Sequence, residues 1–221
     1  MTMNNKDHMR FNMIEQQIRP WNVLNQRVLN AFDVINRDDF VAEEHKTLAF
    51  SEVRLPLQGK DLMLTPAMEG RILQEIELEP TDNVLLIGSG SGFLAALAAH
   101  LGAKVTAIDI NPDYTAMAQK NIDKLNISDV TFITADVKDF AVEKNSYDAI
   151  IMTGSVLEAP QKLVDALTAG GRLFAFIGMQ DQTVTSGTVI KNQLNEIRQE
   201  SRFEIELERL HGFEDKPQFV F

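Results

Sequence analysis

The sharpest break in the pattern of apolar and polar positions falls at residues 84–92. Val84-Leu85-Leu86-Ile87 is an unbroken apolar run that ends in three glycines at alternate positions, Gly88, Gly90 and Gly92. Phe93 to Leu101 reads as a helix and follows at once. A second apolar run, Lys104-Val105-Thr106-Ala107-Ile108, is closed by Asp109. Strand, glycine turn, helix, strand and acidic residue in this order have the form of a nucleotide-type cofactor site at the edge of a parallel sheet.

The flanking pattern extends this unit in both directions. Upstream, Met9 to Ile18 predicts a helix stopped by Pro20. Asn25 is an N-cap for a second helix through about Ile35, with Val28, Leu29, Phe32 and Ile35 on its apolar face. Asp38 to Val41 begins an irregular passage, and Glu52 to Pro56 with Gln58-Gly59 reads as turn and extended chain. Thr65-Pro66 combines a hydroxyl cap with proline at the first helical position, and that helix runs to about Leu78. Downstream, Asp113 to Leu125 predicts a helix and Val130 to Ile133 a short strand. Tyr147 to Met152 reads as a buried strand, Ala159 to Leu167 as a helix stopped at Gly170-Gly171, and Arg172 to Ile177 as the next strand. Thr183 to Lys191, Phe203 to Leu210 and Gln218 to Phe221 read as strands, with a helical alternative over 190–200. Strands alternating with helices predict an α/β, doubly wound, mainly parallel sheet. Residues 1–80 form a mainly helical extension packed on an α/β core over 81–221, with no linker-like run between them.

Composition narrows the partners. The 221 residues are enough for one domain with a substantial core. There is no cysteine, so thiol nucleophiles, disulfides and thiolate metal sites are excluded. A net charge of -11 argues against nonspecific nucleic-acid binding and permits a small ligand or a locally neutral or basic protein. The polar N-terminus lacks the apolar core of a signal peptide, and no window has the roughly 18 continuous apolar residues of a membrane span. The expectation is a cytoplasmic protein without a membrane partner. His8, His45, His100 and His211 are too widely spaced for a metal-ligand pattern, so no metal is expected.

The glycine spacing separates the cofactor classes. A dinucleotide turn reads G-x-G-x-x-G, but here Phe93 stands where its third glycine would be, and no phosphate-binding G-x-x-x-x-G-K-[ST] occurs. Asp109 lies 21 positions after Gly88, where a carboxylate can accept both hydroxyls of a ribose. The Gly88-x-Gly90-x-Gly92 turn with Asp109 resembles class I S-adenosylmethionine-dependent methyltransferases. Ala135-Asp136 after the third strand, Ser146 to Ile150, and Leu167-Thr168-Ala169-Gly170-Gly171-Arg172-Leu173 match further motifs of that family.

Across nearly the whole chain the resemblance narrows to the protein-L-isoaspartate O-methyltransferases. It is carried by Phe11 to Arg19, Arg37 to Val41, Leu55-Pro56 and Pro66-x-Met68. It implies a Rossmann-like methyltransferase core with a mostly parallel seven-stranded sheet, helices on both faces and an N-terminal helical extension. It further implies methyl transfer from S-adenosylmethionine to a carboxylate of a damaged aspartyl residue, leaving S-adenosylhomocysteine and using no metal. Gly88, Ser89, Gly90 and Gly92 would shape the cofactor turn. Asp109 would hold the ribose and Asp136 would face the adenine, with Ile110 and Val137 as further cofactor-binding residues.

Two departures stand against the family pattern. The active-site segment "T-I-S-Q-P-Y-M" is here Leu62-Met63-Leu64-Thr65-Pro66-Ala67-Met68, so Leu64 replaces the serine. Thr65 either supplies a catalytic hydroxyl from the next position or caps the helix. Leu86 replaces the acid of "V-L-E-I-G", which helps position the methionine end of the cofactor. The alternatives are therefore a methyltransferase with another acceptor, such as a small molecule, or a non-catalytic S-adenosylmethionine-binding protein. Trp21 reads as an anchor for the N-terminal helices and Arg19 as a salt-bridge partner, with ligand roles as the alternatives.

Overall fold

The computed structural model describes residues 5–57, 59–193 and 196–215. Its centre is a seven-stranded sheet in the order β3-β2-β1-β4-β5-β6-β7. The strands are β1 (Asn83–Ile87), β2 (Lys104–Asp109), β3 (Val130–Thr134), β4 (Tyr147–Val156), β5 (Leu167–Gly178), β6 (Val184–Gln193) and β7 (Glu196–Glu206). The first five pair in parallel, whereas β6 and β7 form an antiparallel hairpin on the β5 edge. The chain builds outward from β1 in both directions, with Ile87 level with Ile108 on one side and Met152 on the other. Such a reversal opens a crevice at the C-terminal ends of the strands.

Burial on both faces of β1 follows from its continuous apolar run. Val84 and Leu86 join one apolar cluster, and Leu85 and Ile87 the other. The first cluster takes in α2 (Gln26–Val34), α3 (Pro66–Ile76) and α4 (Phe93–His100). Phe93 meets Phe32 and Phe40 at ring-centroid distances of 5.9 and 5.2 Å, so the N-terminal helices and the sheet share a core. Helix α5 (Pro112–Lys124) packs against β2 and β3. The opposite face is covered more thinly, by the five-residue α6 (Gln161–Asp165) and by loop residues such as Phe140 and Phe213. Arg172 ties the sheet to the end of α3 by donating to the carbonyls of Ile76 (2.7 Å) and Glu77 (2.6 Å), and it pairs with Asp82.

Several local elements differ from the sequence expectation. Helix α1 (Asn5–Met13) continues into a π turn over Ile14–Ile18 and a 3-10 turn over Arg19–Trp21. Pro20 is accommodated near the start of that tighter turn, where no N–H is demanded of it, and left-handed Asn22 ends the run. The helix expected over 159–167 has only 161–165, because Leu167 already pairs with Tyr147. Residues 168–171 bulge before the register resumes at Ala149 and Arg172, so Gly170-Gly171 lies within β5 rather than at a helix stop. Strand β7 begins at Glu196, displacing the helical alternative over 190–200. Its exposed, charge-rich face belongs to an edge strand and masks the alternation. The strand expected at Gln218 to Phe221 lies outside the described residues. Among the described residues, no helix is long and apolar enough to cross a membrane.

Candidate functional site

The glycine turn leaves β1 with left-handed backbone at Gly88 (φ +91°) and Gly90 (φ +49°). A Cβ on Gly88 would stand 2.1 Å from the Thr153 hydroxyl, whose single O–H is shared between the carbonyls of Ile87 and Gly88 at 3.0 and 3.1 Å. Gly88 is thus required by the β4 side of the crevice. At Gly90 an added Cβ would meet only Leu57, at 3.6 Å, across the open cavity. Gly92 (φ +86°) has a different purpose. Its Cβ would lie 3.2 Å from the Cα of Ala118, so it lets α4 and α5 approach, and it is not part of the cavity wall.

Asp109 fixes the turn onto the end of β2. Its Oδ2 accepts from the Gly90 N–H at 3.1 Å and the Ser89 hydroxyl at 3.2 Å, and its Oδ1 accepts from the Asn111 N–H at 3.0 Å. A carboxylate offers about four acceptor positions, so one is left for a ligand hydroxyl. Beyond it, exposed Ile110 and buried Val137 give apolar walls beside Asp136, whose Oδ1 accepts from the Lys138 N–H at 2.8 Å. These residues border a cavity of about 230 Å³ that also reaches the 57–64 segment and Leu207 to His211.

The structure brings Gly88, Ser89, Gly90, Asp109, Ile110, Asp136 and Val137 to this one cavity. Leu62, Met63 and Leu64 line it too, whereas Thr65 does not. The Thr65 hydroxyl accepts from the Met68 N–H at 3.3 Å and so occupies the capping role of its two readings. Leu86 is fully buried in the helix-side apolar cluster, off the cavity wall. Arg19 pairs with Glu15, and Trp21 meets Phe203 edge-on at 6.4 Å.

Sequence reading missed two groups on the wall. The first is Asp61, which accepts from the Tyr114 hydroxyl at 2.6 Å and sits 2.8 Å from His211 Nε2. Glu214 stands 3.6 Å from His211 Nδ1. The hydrogen bond to Asp61 raises the His211 pKa. Burial pushes the Asp61 carboxyl up, but the bonds from Tyr114 and His211 outweigh it and hold it low. The second is Glu69, facing buried Arg37 at 3.6 Å. Burial pushes the Glu69 carboxyl up to about 8 despite Arg37. Among the described residues, no group of three His, Cys, Asp or Glu could hold a metal ion.

Residues 8–206 match the family model described as protein-L-isoaspartate(D-aspartate) O-methyltransferase. A protein-L-isoaspartate O-methyltransferase from Methanoculleus marisnigri is 33% identical over 169 residues, covering 76% of this chain and 77% of that one. A solved protein-L-isoaspartate O-methyltransferase has a TM-score of 0.81 at 20% identity, covering 93% of this chain and 67% of its own. A Plasmodium falciparum structure, described as a protein of that kind in complex with S-adenosyl-L-homocysteine, has a TM-score of 0.77 at 20% identity. It covers 94% of this chain and 99% of that one.

Proposed function

Because this chain belongs to the protein-L-isoaspartate O-methyltransferase family, we propose that it methylates the carboxylate of damaged aspartyl residues in proteins, using S-adenosylmethionine. The observation that carries this reading for the chain's own residues is Asp109. It holds the glycine turn in place and keeps one acceptor position at the cavity. The wall fits the cofactor: Gly90 leaves open space where a side chain would intrude, and Ile110 and Val137 form an apolar slot beside Asp136.

When bound, S-adenosylmethionine supplies a methyl group already activated by a sulfonium. Asp109 would accept from the ribose and Asp136 from the adenine amino group, and Ile110 and Val137 would flank the base. Leu62, Met63 and Leu64 exclude water from the reacting end, which strengthens interactions with the transferring group. An aspartyl carboxylate is ionised at neutral pH, so no general base is required of the protein. Positioning and desolvation carry the rate, consistent with an apolar Leu64 on the wall and a Thr65 hydroxyl held in the helix cap away from it.

A second reading, a methyltransferase with another acceptor, is favoured by one observation: Leu64 is apolar where the family has serine, and the Thr65 hydroxyl is occupied in capping. Radiolabelled methyl transfer to an isoaspartyl peptide, with the ordinary aspartyl peptide as control, decides between them. Label on the isoaspartyl peptide alone is expected. Binding of S-adenosylmethionine without transfer to either peptide refutes the isoaspartyl reading and leaves the second.

A further inference from the structure

The unexplained group on the cavity wall is Glu69. It lies on the first turns of α3, is 4% exposed, and its Oε2 has no hydrogen-bond partner. A buried carboxylate without hydrogen bonds is costly, and packing alone would favour an apolar side chain at such a position. Its surroundings on the wall include Met63, Leu64, Phe93 and Leu94.

Two charged groups face Glu69 from neighbouring segments. The Arg37 guanidinium spends two N–H groups on the carbonyls of Ala49 (2.9 Å) and Leu64 (2.7 Å). Its Nε stands 3.6 Å from the Glu69 Oε2, too far for a hydrogen bond, and is itself without a partner. Glu52, whose Oε2 accepts from the Ala67 N–H at 3.1 Å, adds a like charge. Arg37 therefore faces Glu69 without consuming its acceptor capacity.

The other cavity carboxylates are already engaged, Asp61 by Tyr114 and His211 and Glu208 by Arg54. Asp109 is bound to the glycine turn and Asp136 to the Lys138 N–H. With the adenosine half placed there, the aminoacyl half carries an α-ammonium, and the same cavity wall includes Glu69 on α3. Strand β1 offers that ammonium no acid, because position 86 is a leucine buried in the apolar cluster. We propose that Glu69 is the carboxylate that receives the α-ammonium of the cofactor's methionine end, acting from α3 in place of an acid on β1. This assignment rests on the cofactor reading above. It has a proton consequence: burial keeps Glu69 protonated near neutral pH, so arrival of the ammonium releases its proton to solvent.

Calorimetry at pH 7 on the full chain tests the proposal with S-adenosylhomocysteine, its des-amino analogue and 5′-methylthioadenosine, which lacks the aminoacyl end. The unaltered protein is expected to favour S-adenosylhomocysteine over the des-amino analogue by about tenfold or more, the worth of a charge-assisted hydrogen bond. Heats in buffers of different ionisation enthalpy should show release of close to one proton with S-adenosylhomocysteine and none with 5′-methylthioadenosine. In Glu69→Gln both the preference and the proton release should vanish, while 5′-methylthioadenosine binds as before. Equal affinity for S-adenosylhomocysteine in the variant and the parent overturns the proposal. So does absence of the amino-group preference in the parent, a result that does not depend on whether the variant folds. No heat with any of the three ligands overturns the cofactor reading itself, whereas binding without the amino-group preference overturns only the role of Glu69.

Discussion

Gly88→Ala is the most informative single substitution at the turn, because it tests whether that glycine serves the protein's own packing or the ligand. A φ of +91° costs a residue with a Cβ about 1–2 kcal/mol. The new Cβ would lie 2.1 Å from the Thr153 hydroxyl, so Thr153 must turn away and lose the bond its O–H shares between two carbonyls. That loss is worth about 1–2 kcal/mol, giving about 2–4 kcal/mol in all for Gly88→Ala. Thr153→Ala alone should cost about 1–2 kcal/mol through the same shared bond. The double variant should then resemble Gly88→Ala rather than the sum, a coupling of about 1–2 kcal/mol. Urea unfolding of the four proteins, followed by far-ultraviolet circular dichroism, measures each value. Strictly additive penalties would refute the collision. A Gly88→Ala protein of normal stability that no longer binds S-adenosylhomocysteine would show that the space is kept for the ligand.

Three further substitutions separate the roles of neighbouring residues. Gly92→Ala should lose about 1–3 kcal/mol of stability, from its left-handed φ and the crowding against Ala118, yet keep S-adenosylhomocysteine affinity within about twofold. Thermal unfolding and calorimetry on the same sample check both halves. Asp109→Ala should weaken S-adenosylhomocysteine by about ten- to a hundredfold and also lower the melting temperature, since the Gly90 and Asn111 N–H groups lose their acceptor. For His211, the folded pKa is raised, so its contribution is full below the unfolded value near 6.5 and fades as pH rises through the folded pKa. Asp61 has a lowered folded pKa, so its own contribution fades as pH falls through that value. The difference in melting temperature between the parent and His211→Ala should therefore be largest near pH 5–6 and shrink toward pH 9. A pH-independent difference would show that the Asp61–His211 contact is not ionic.

What the sequence exposed depended on how local each feature was. The turn, Asp109 and the Thr65 cap are decided within a few residues and are legible as spacing. The seven-stranded sheet followed from alternation plus resemblance, although the ends of α6 and β5 did not. There, pairing of Leu167 with Tyr147 overrides the helical tendency of residues 159–167. Gly92 reads as a third ligand glycine because its real neighbour, Ala118, lies on another helix. Glu69 looks like any polar helix position until the fold buries it beside Arg37. His211 was set aside for want of metal spacing, and its partner Asp61 is 150 residues away. Side chains that meet only through the sheet's crossovers leave no period to read.

The contact between Asp61 and His211 also bears on how the protein is made. One side of the cavity comes from residues before β1, and the other from the segment after β7. A domain generally folds as a unit once its residues have been synthesised. The glycine turn and Asp109 exist in a half-made chain, but Leu207 to His211 are supplied only when synthesis has passed β7. A nascent or prematurely terminated chain ending before that point has the residues of the glycine turn but not those of the far wall. Completion of the cavity is therefore coupled to completion of the sheet, and a fragment stopped short of β7 cannot close it.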